Sequence, residues 1–321
     1  MIGVVGGVVG VVLIGGTIVA VQQNQSTTRQ PGGSSTVNVP GPSVSTQKAS
    51  DLVTAYLRAL GSGDAATALS LAAAAPSDTT LLTNSVLATS TAGKLADISV
   101  PEVTDQNATT VSASYTLGGK PVRATFAVKN VGGQFRLTQI ASEVDLSSLS
   151  EVAVTVAGLR PGADVVQLFP GVYPVKPVNK FYALSTSSVR VADLGDVTAP
   201  SAKLSLSSSG KSALISATKK KYSWCLKQNS VKPSGCGFAV RIPTGVKLRT
   251  STISWTTRSG AKWAAMKPKL ISANLIEAKA PAKVHFYARD ARVSSRYWYK
   301  DVSIVGVQAL ISGSKITVTL Y

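Results

Sequence analysis

The spacing of hydrophobic residues changes from one segment of the chain to the next, and these changes predict its elements. Early apolar residues such as Leu52 and Tyr56 recur at helical spacing. This pattern predicts a helix with Ser50 as its N-cap and Gly61 at its end. A second short helix is expected immediately afterwards, with Asp64 as its N-cap.

A third helix is expected over about residues 81–92, after which the hydrophobic period shortens to two. Strands are predicted at about 97–104, 109–117, 121–130 and 134–144. In the second of these, Val111, Ala113 and Tyr115 share one face, as a half-buried strand requires. Helices followed by an antiparallel meander predict an α+β domain over residues 47–147.

The next segment, residues 148–206, contains short apolar runs between Pro-Gly turns. Because proline cannot donate a hydrogen bond to a neighbouring strand, Pro161, Pro170 and Pro174 favour short strands or edge strands. This segment is predicted to form a small β-unit.

The last segment, residues 207–321, begins with an amphipathic stretch, Ala213–Leu226, that predicts a helix. Strands are predicted near 237–242, 247–257, 269–278, 283–290, 296–308 and 314–321. In the last of these, Ile316 and Val318 alternate with polar residues, which is typical of a sheet with one solvated face. A second helix-plus-antiparallel-sheet domain is expected, and the fold class is α+β.

Ahead of these segments, residues 2–21 are uncharged and apolar. At about 1.5 Å per residue, a helix of this length spans roughly the 30 Å core of a bilayer. We predict an uncleaved transmembrane anchor, with a cleaved signal peptide as the alternative. Residues 22–46, rich in Ser, Thr, Gln, Gly and Pro, predict a flexible linker. The membrane is thus an expected partner, and the rest of the chain is expected outside the cytoplasm.

Two stretches of the first domain carry a family resemblance: DLVTAYLRALGSGDAATALSLA and VSASYTLGGKPVRATFAVKNVGGQFRLTQI. Together they resemble the nuclear transport factor 2-like superfamily, and more narrowly its domains on tethered envelope proteins of high-GC Gram-positive bacteria. The segment Gly132–Leu137 takes the place of a closing hairpin in those domains. The resemblance implies a helix-plus-curved-sheet fold and an envelope location. Enzymatic members carry an acid/base group such as an Asp–His pair in the cone, and this domain has no histidine.

Charge separates the last third of the chain from the rest. The protein has 33 Lys and Arg against 15 Asp and Glu, a formal net charge of +18. Residues 201–321 hold 21 of these cations and only three carboxylates, Glu277, Asp290 and Asp301. Such a field points to an anionic partner, while a well-solvated basic domain without a specific ligand is the alternative.

The two cysteines, Cys225 and Cys236, predict a disulfide in a chain located outside the cytoplasm. Free thiols, a metal site and a redox pair are the alternatives. A metal site would need about four ligands, and the chain offers two Cys and one His. A redox-active pair would be expected to have Cys-x-x-Cys spacing, which these two cysteines do not have. A cysteine hairpin in the resembling envelope proteins also favours the disulfide, and no cofactor or metal is expected.

None of the possible catalytic or cofactor motifs in the sequence is accompanied by the residues that its chemistry requires. His285 is interpreted as a satisfied sheet or surface residue, because no nucleophile or orienting group can be paired with it from the sequence. Ser-x-x-Lys matches such as those at Ser45, Ser208 and Ser312 lack the companion motifs of penicillin-recognising enzymes. A Gly-x-Gly-x-x-Ala run from Gly61 follows a helix instead of a strand, which excludes a dinucleotide fingerprint.

The strongest positive pattern is aromatic and basic. All four tryptophans lie in the basic third of the chain, and the run from Arg292 to Lys300 places three aromatics among cations. On a strand, Arg296, Trp298 and Lys300 would share one face, with Tyr297 and Tyr299 on the other. The predicted anion-binding residues are Lys219, Lys220, Lys221, Arg292, Arg296, Trp298 and Lys300. The alternative is that these aromatics fill the sheet's core.

Taken together, the sequence predicts a non-catalytic, single-pass envelope protein with a binding or scaffolding role. Its basic domain is expected to contact an anionic wall polymer or lipid headgroups, and nucleic acid is disfavoured. No protein partner can be named from the sequence. The rival hypothesis is an enzyme with a pocket in the cone of the first α+β domain.

Overall fold

A computed structural model describes residues 47–90, 95–195, 197–259 and 262–321. The predicted anchor, 2–21, and the predicted linker, 22–46, lie outside the described residues. The described helices are α1 (Ala49–Ser62), α2 (Ala65–Ser70), α3 (Asn84–Thr89) and α4 (Ser208–Leu226). No helix in these ranges is both long and apolar enough to cross a membrane.

Sixteen strands are described. They are β1 (Leu95–Ser99), β2 (Thr110–Leu117), β3 (Lys120–Val131), β4 (Gln134–Leu137), β5 (Ser142–Asp145), β6 (Val154–Val156), β7 (Val165–Leu168), β8 (Gly171–Pro177), β9 (Tyr182–Leu184), β10 (Ser188–Val191), β11 (Leu204–Leu206), β12 (Ser254–Ser259), β13 (Lys269–Ser272), β14 (Leu275–Arg289), β15 (Tyr297–Ser312) and β16 (Lys315–Leu320). All strand pairs are antiparallel, which confirms the predicted mixed α+β class.

Helix α1 forms as predicted, but both of its predicted ends are wrong. Lys48 is the N-cap, and Ser50 is already helical and buried. The helix runs past Gly61 and ends at Gly63, whose φ of 78° is the left-handed conformation that glycine adopts at low cost. Asp64 caps α2 as predicted, because its side chain accepts from the backbone N–H of Thr67.

The first sheet has the order β1-β2-β3-β4 and packs against α1. Its predicted last strand, 134–144, is wrong in extent because it divides into β4 and β5. After Leu137, whose backbone N–H donates to the Leu71 carbonyl, the chain leaves this sheet. Strand β5 then pairs with β7, in the segment predicted as the small β-unit.

The middle of the chain forms short strands, as its prolines indicated. β8 lies between β6 and β10, and β9 pairs with β11. The first turn of α4 approaches the backbone of the middle segment closely. A Cβ added to Gly210 in α4 would lie 2.3 Å from the Phe181 carbonyl oxygen. Glycine is therefore required where α4 begins to pack on this segment.

In the last sheet the order is β12-β14-β15-β16, and β13 also pairs with β14. The predicted strand at 237–242 is wrong, and the structure describes all of residues 227–253 without a strand. Phe238 is instead buried against Trp255, with ring centroids 4.4 Å apart. The two strands predicted at 269–278 and 283–290 are also wrong, since β14 continues through Pro281. The pairing with β15 shifts register between Lys279 and Ala282, and such a bulge tolerates proline.

Buried apolar side chains of the described residues fall into three clusters. The first joins α1 to the first sheet, the second lies between α4 and the last sheet, and the third fills the middle segment. Two middle residues, Phe169 and Leu194, belong to the first cluster at 1% and 4% exposure. In return, Leu81 and Val86 belong to the third cluster. The described part of the chain is accordingly one compact unit.

Candidate functional site

The predicted lysine cluster lies on α4, which covers the inner face of the last sheet. Lys219 and Lys220 are exposed. Lys221 is partly buried; its Nζ lies 4.1 Å from the ring centre of Trp224 and donates to the Ser234 carbonyl. Two cations are thus free to meet a ligand here, and the third is engaged within the protein.

Arg292 and Arg296 lie in the turn between β14 and β15, which is organised by Asp290. The Asp290 carboxylate is only 4% exposed and accepts from the backbone N–H groups of Arg292 and Val293. Arg296 Nη1 lies 3.9 Å from its second oxygen. Arg292 donates to the carbonyl of Gly245. Both predicted ligand-binding arginines therefore help to hold the turn.

The same turn gives a prediction for pH. The backbone N–H of Arg292 holds the pKa of Asp290 below its usual value, with Arg296 adding in the same direction. A carboxyl with a depressed folded-state pKa stabilises the fold above the unfolded pKa of about 3.9, and this contribution is lost as the pH falls through the folded pKa. Asp290→Asn should lower urea stability at pH 7, and the difference from the native protein should vanish near pH 2. The exposed turn residue Asp105 provides a control, as Asp105→Asn. A constant deficit at all pH values would contradict this account.

Trp298 and Lys300 point to the inner side of β15, opposite to Tyr297 and Tyr299. Their register partners on β14 are Ala288 and Phe286, both fully buried. Trp298 packs against the core of the last sheet, and its buried Nε1 has no hydrogen-bond partner among the described residues. The structure distributes the seven predicted residues over a helix, a turn and the inner side of a strand, so they do not form one surface.

The outer face of the last sheet carries a different aromatic group, which the sequence prediction missed. We call the side chains of His285, Tyr287, Tyr297 and Tyr299 the aromatic ladder. Tyr299 is 74% and Tyr297 45% exposed. Ring centroids are 5.6 Å apart for Tyr287 and Tyr297, and 6.3 Å apart for His285 and Tyr299.

Cross-strand pairing explains the ladder. Tyr287 lies opposite Tyr299, and His285 lies opposite Asp301. The ring pairs of the ladder are the diagonal neighbours across the two strands, which lie within reach of aromatic side chains. The signal available in the sequence was the alternation of β14, where His285 and Tyr287 take positions between the buried Val284, Phe286 and neighbouring alanine.

The outer face is also cationic. Among the described residues of this sheet it carries six cations: Arg258, Lys269, Lys279, Lys283, Arg289 and Lys315. Its two carboxylates are already engaged. Glu277 accepts from Gln308, and Asp301 accepts from His285 and lies 3.5 Å from Arg258. The face therefore presents unmatched positive charge.

His285 is a partly exposed surface residue with a partner, as the sequence interpretation expected. Its Nδ1 lies 2.7 Å from the Asp301 carboxylate. That hydrogen bond is the main reason why the pKa of Asp301 is lowered. The pair fixes the imidazole beside Tyr299. In the described ranges its second ring nitrogen makes no hydrogen bond to a hydroxyl or thiol.

The predicted disulfide is confirmed. Cys225 at the end of α4 is bonded to Cys236, and both residues are fully buried. The backbone N–H of Leu320 in β16 donates to the Gly235 carbonyl, so the bond attaches the helix to the last sheet. Across the described residues, no group of three or more His, Cys, Asp or Glu side chains is placed to hold a metal ion.

In the first domain, where the rival hypothesis places a catalytic pocket, two buried tyrosine hydroxyls are bonded to backbone. Tyr56 donates to the Ile140 carbonyl and Tyr115 to the Ala192 carbonyl. Burial raises the pKa of both hydroxyls. Asp51 is exposed on α1. A nearby cleft of about 320 Å³ is bordered by residues that include Asn84, Ser90 and Pro170, and none of its described lining residues is titratable.

Comparison with known proteins adds no relative to this picture. No protein-family model, no curated protein and no solved structure matches the chain.

Proposed function

We propose that the protein is a non-catalytic binding protein of the cell envelope, whose last sheet contacts an anionic polymer of that envelope. The observation that carries the proposal is the outer face, where six cations outnumber two carboxylates that already have hydrogen-bond or ion-pair partners. A surface of this charge attracts polyanions and accelerates their association.

The arrangement of the cations favours a chain-like ligand over a small ion. Lys279, Lys283 and Arg289 follow one another along the single strand β14, with ten residue steps from the first to the last. At about 3.3 Å per residue they extend over roughly 33 Å. A linear polyanion spans such a strip, whereas a small anion would contact one end of it.

The compartment is proposed from three features. The disulfide is typical of proteins outside the cytoplasm. Residues 2–21 have the length and composition of a membrane anchor. The first domain resembles nuclear transport factor 2-like domains of tethered envelope proteins in high-GC Gram-positive bacteria. The protein is thus a single-pass membrane protein with an extracytoplasmic binding domain.

The test is binding of the full-length chain, in non-ionic detergent, to polygalacturonate, neutral dextran and anionic lipid vesicles across a salt series. We expect no binding to neutral dextran and binding to polygalacturonate that weakens steeply with salt. The reason is that the Debye screening length shortens from about 10 Å at 0.1 M salt to about 3 Å at 1 M. The triple variant Lys279→Gln, Lys283→Gln, Arg289→Gln should lose about tenfold in affinity, given about 0.2–1 kcal/mol for each exposed pair.

The matched control removes the same charge from α4, as Lys219→Gln, Lys220→Gln, Lys221→Gln. It should lose clearly less affinity than the sheet variant. Equal losses would assign binding to net charge instead of the outer face. Stronger binding to vesicles than to polygalacturonate would replace the polymer with lipid headgroups, and no binding at low salt would remove the proposal.

A further inference from the structure

The aromatic ladder makes the outer face more than a charged surface. Tyrosine rings at 74% and 45% exposure lie next to one another and to a partly exposed tyrosine and histidine. Single exposed apolar residues are ordinary on protein surfaces, whereas a contiguous exposed group marks an interaction site. The four rings form two cross-strand pairs, with centroids 5.6 Å and 6.3 Å apart, and the two pairs are neighbours because Tyr287 lies directly opposite Tyr299.

We propose that the aromatic ladder stacks the sugar rings of an acidic polysaccharide, whose acid groups pair with the surrounding cations. This inference rests on the proposed function and specifies its ligand. Electron density on the faces of aromatic rings attracts the electropositive C–H face of a sugar. A polyanion without rings would use only the cations.

The ladder is held in place before a ligand arrives. Asp301 fixes His285 at 2.7 Å, and the planes of His285 and Tyr299 differ by 23°. The Arg289 guanidinium carbon lies 5.4 Å from the centre of the Tyr297 ring, which restrains that end of the ladder. Side chains already ordered lose little entropy on binding, so the stacking energy contributes to affinity.

Charge lies beside the rings. Lys283 precedes His285 by two residues on the same face of β14, and Arg289 follows Tyr287 by two. Arg258 on β12 reaches across β14 to Asp301 on β15, with its Nε 3.5 Å from the carboxylate. An acidic sugar chain that runs along β14 would alternate between stacked rings and paired acid groups. Single-stranded nucleic acid has similar chemistry, but a disulfide is typical of proteins outside the cytoplasm, which favours an envelope polysaccharide over nucleic acid.

The experiment compares three probes on the full-length chain in non-ionic detergent: polygalacturonate, polyglutamate and oligodeoxythymidine. Polygalacturonate and polyglutamate both carry carboxylates, and only the first has sugar rings. The test variant is Tyr287→Ser with Tyr299→Ser. We expect at least a tenfold loss of affinity for polygalacturonate and less than a twofold change for polyglutamate, because stacking on an aromatic ring contributes about 1–3 kcal/mol per stacked base in nucleic-acid complexes.

Two controls keep the result interpretable. Tyr287→Phe with Tyr299→Phe retains the rings and should retain polygalacturonate affinity, even if the serine variant folds poorly. Trp224→Ser removes a ring that is 46% exposed on α4 and should have no effect.

Each other outcome overturns the inference in a distinct way. If the serine variant binds polygalacturonate as the native protein does, while the sheet-cation variant does not, the proposed function stands and the ladder is not its site. If oligodeoxythymidine binds more tightly than polygalacturonate, the ligand is a nucleic acid. If neither carboxylate polymer binds the native protein, the proposed function fails together with the inference.

Discussion

Phe169→Ala is expected to lower the free energy of unfolding by about 3–5 kcal/mol, the range for removing a fully buried phenylalanine. Phe169 is 1% exposed and belongs to the core formed by α1 and the first sheet, although it lies in the middle segment of the chain. Its loss leaves a cavity between the two segments. Equilibrium urea unfolding, followed by circular dichroism, measures the change.

The control is Val178→Ala, a middle-segment residue that is 54% exposed. It should change the stability by less than about 0.5 kcal/mol, as surface substitutions usually do. Equal small effects for Phe169 and Val178 would contradict the shared core. Two separate unfolding transitions, with only one moved by Phe169→Ala, would show that the segments unfold independently.

Removing the disulfide is expected to have an effect of similar size. The variant Cys225→Ala, Cys236→Ala should lose about 2–4 kcal/mol of stability. The bond closes a loop between residues 11 apart in sequence and joins α4 to the segment that contacts β16. Alanine is preferred to serine because both sites are fully buried, and a hydroxyl there would lack a partner.

Reduction provides an independent measurement. Dithiothreitol should shift the native protein's urea midpoint to that of the double-alanine variant and leave the variant unchanged. Peptide mapping without reductant should recover Cys225 and Cys236 in one linked pair. Free, alkylatable thiols in freshly isolated native protein would contradict the bond.

The elements that the sequence predicted best are those with one buried face. α1 and β2 were found because their apolar residues repeat at the period of the element. The ends of α1 were missed because the local cap pattern at Ser50 gave no hint that this residue would be buried in the first turn. The strand predicted at 237–242 failed because its apolar residues, such as Phe238, are buried by packing on Trp255 without pairing as a strand.

At the candidate site, the sequence could not show which face of a strand is buried. Alternation correctly placed Trp298 and Tyr297 on opposite faces of β15, but alternation alone cannot say which face is buried. That choice depends on the partner strand, where Phe286 and Ala288 lie opposite Lys300 and Trp298. The alternation of each strand shows which residues share a face, but the register between β14 and β15 is not readable from either strand alone. The ring pairs of the outer ladder could therefore not be predicted.

The first and middle segments each contribute buried side chains to the other's core: Phe169 and Leu194 to the first, Leu81 and Val86 to the third cluster. This sharing limits where such a chain can recombine during evolution. A recombination event that moved residues 47–147 alone would leave the first core without two of its buried side chains, Phe169 and Leu194. It would also take four from the middle core: Leu81, Val86, Val144 and Leu146. Viable recombination has to carry the chain through Leu194. The last core is joined to the middle segment in the same way, because its buried cluster includes Phe181 and Tyr182. The outer face of the last sheet is different, since residues such as Tyr297 and Tyr299 are exposed there. Ligand preference at that face is thus free to diversify while the three cores are inherited together.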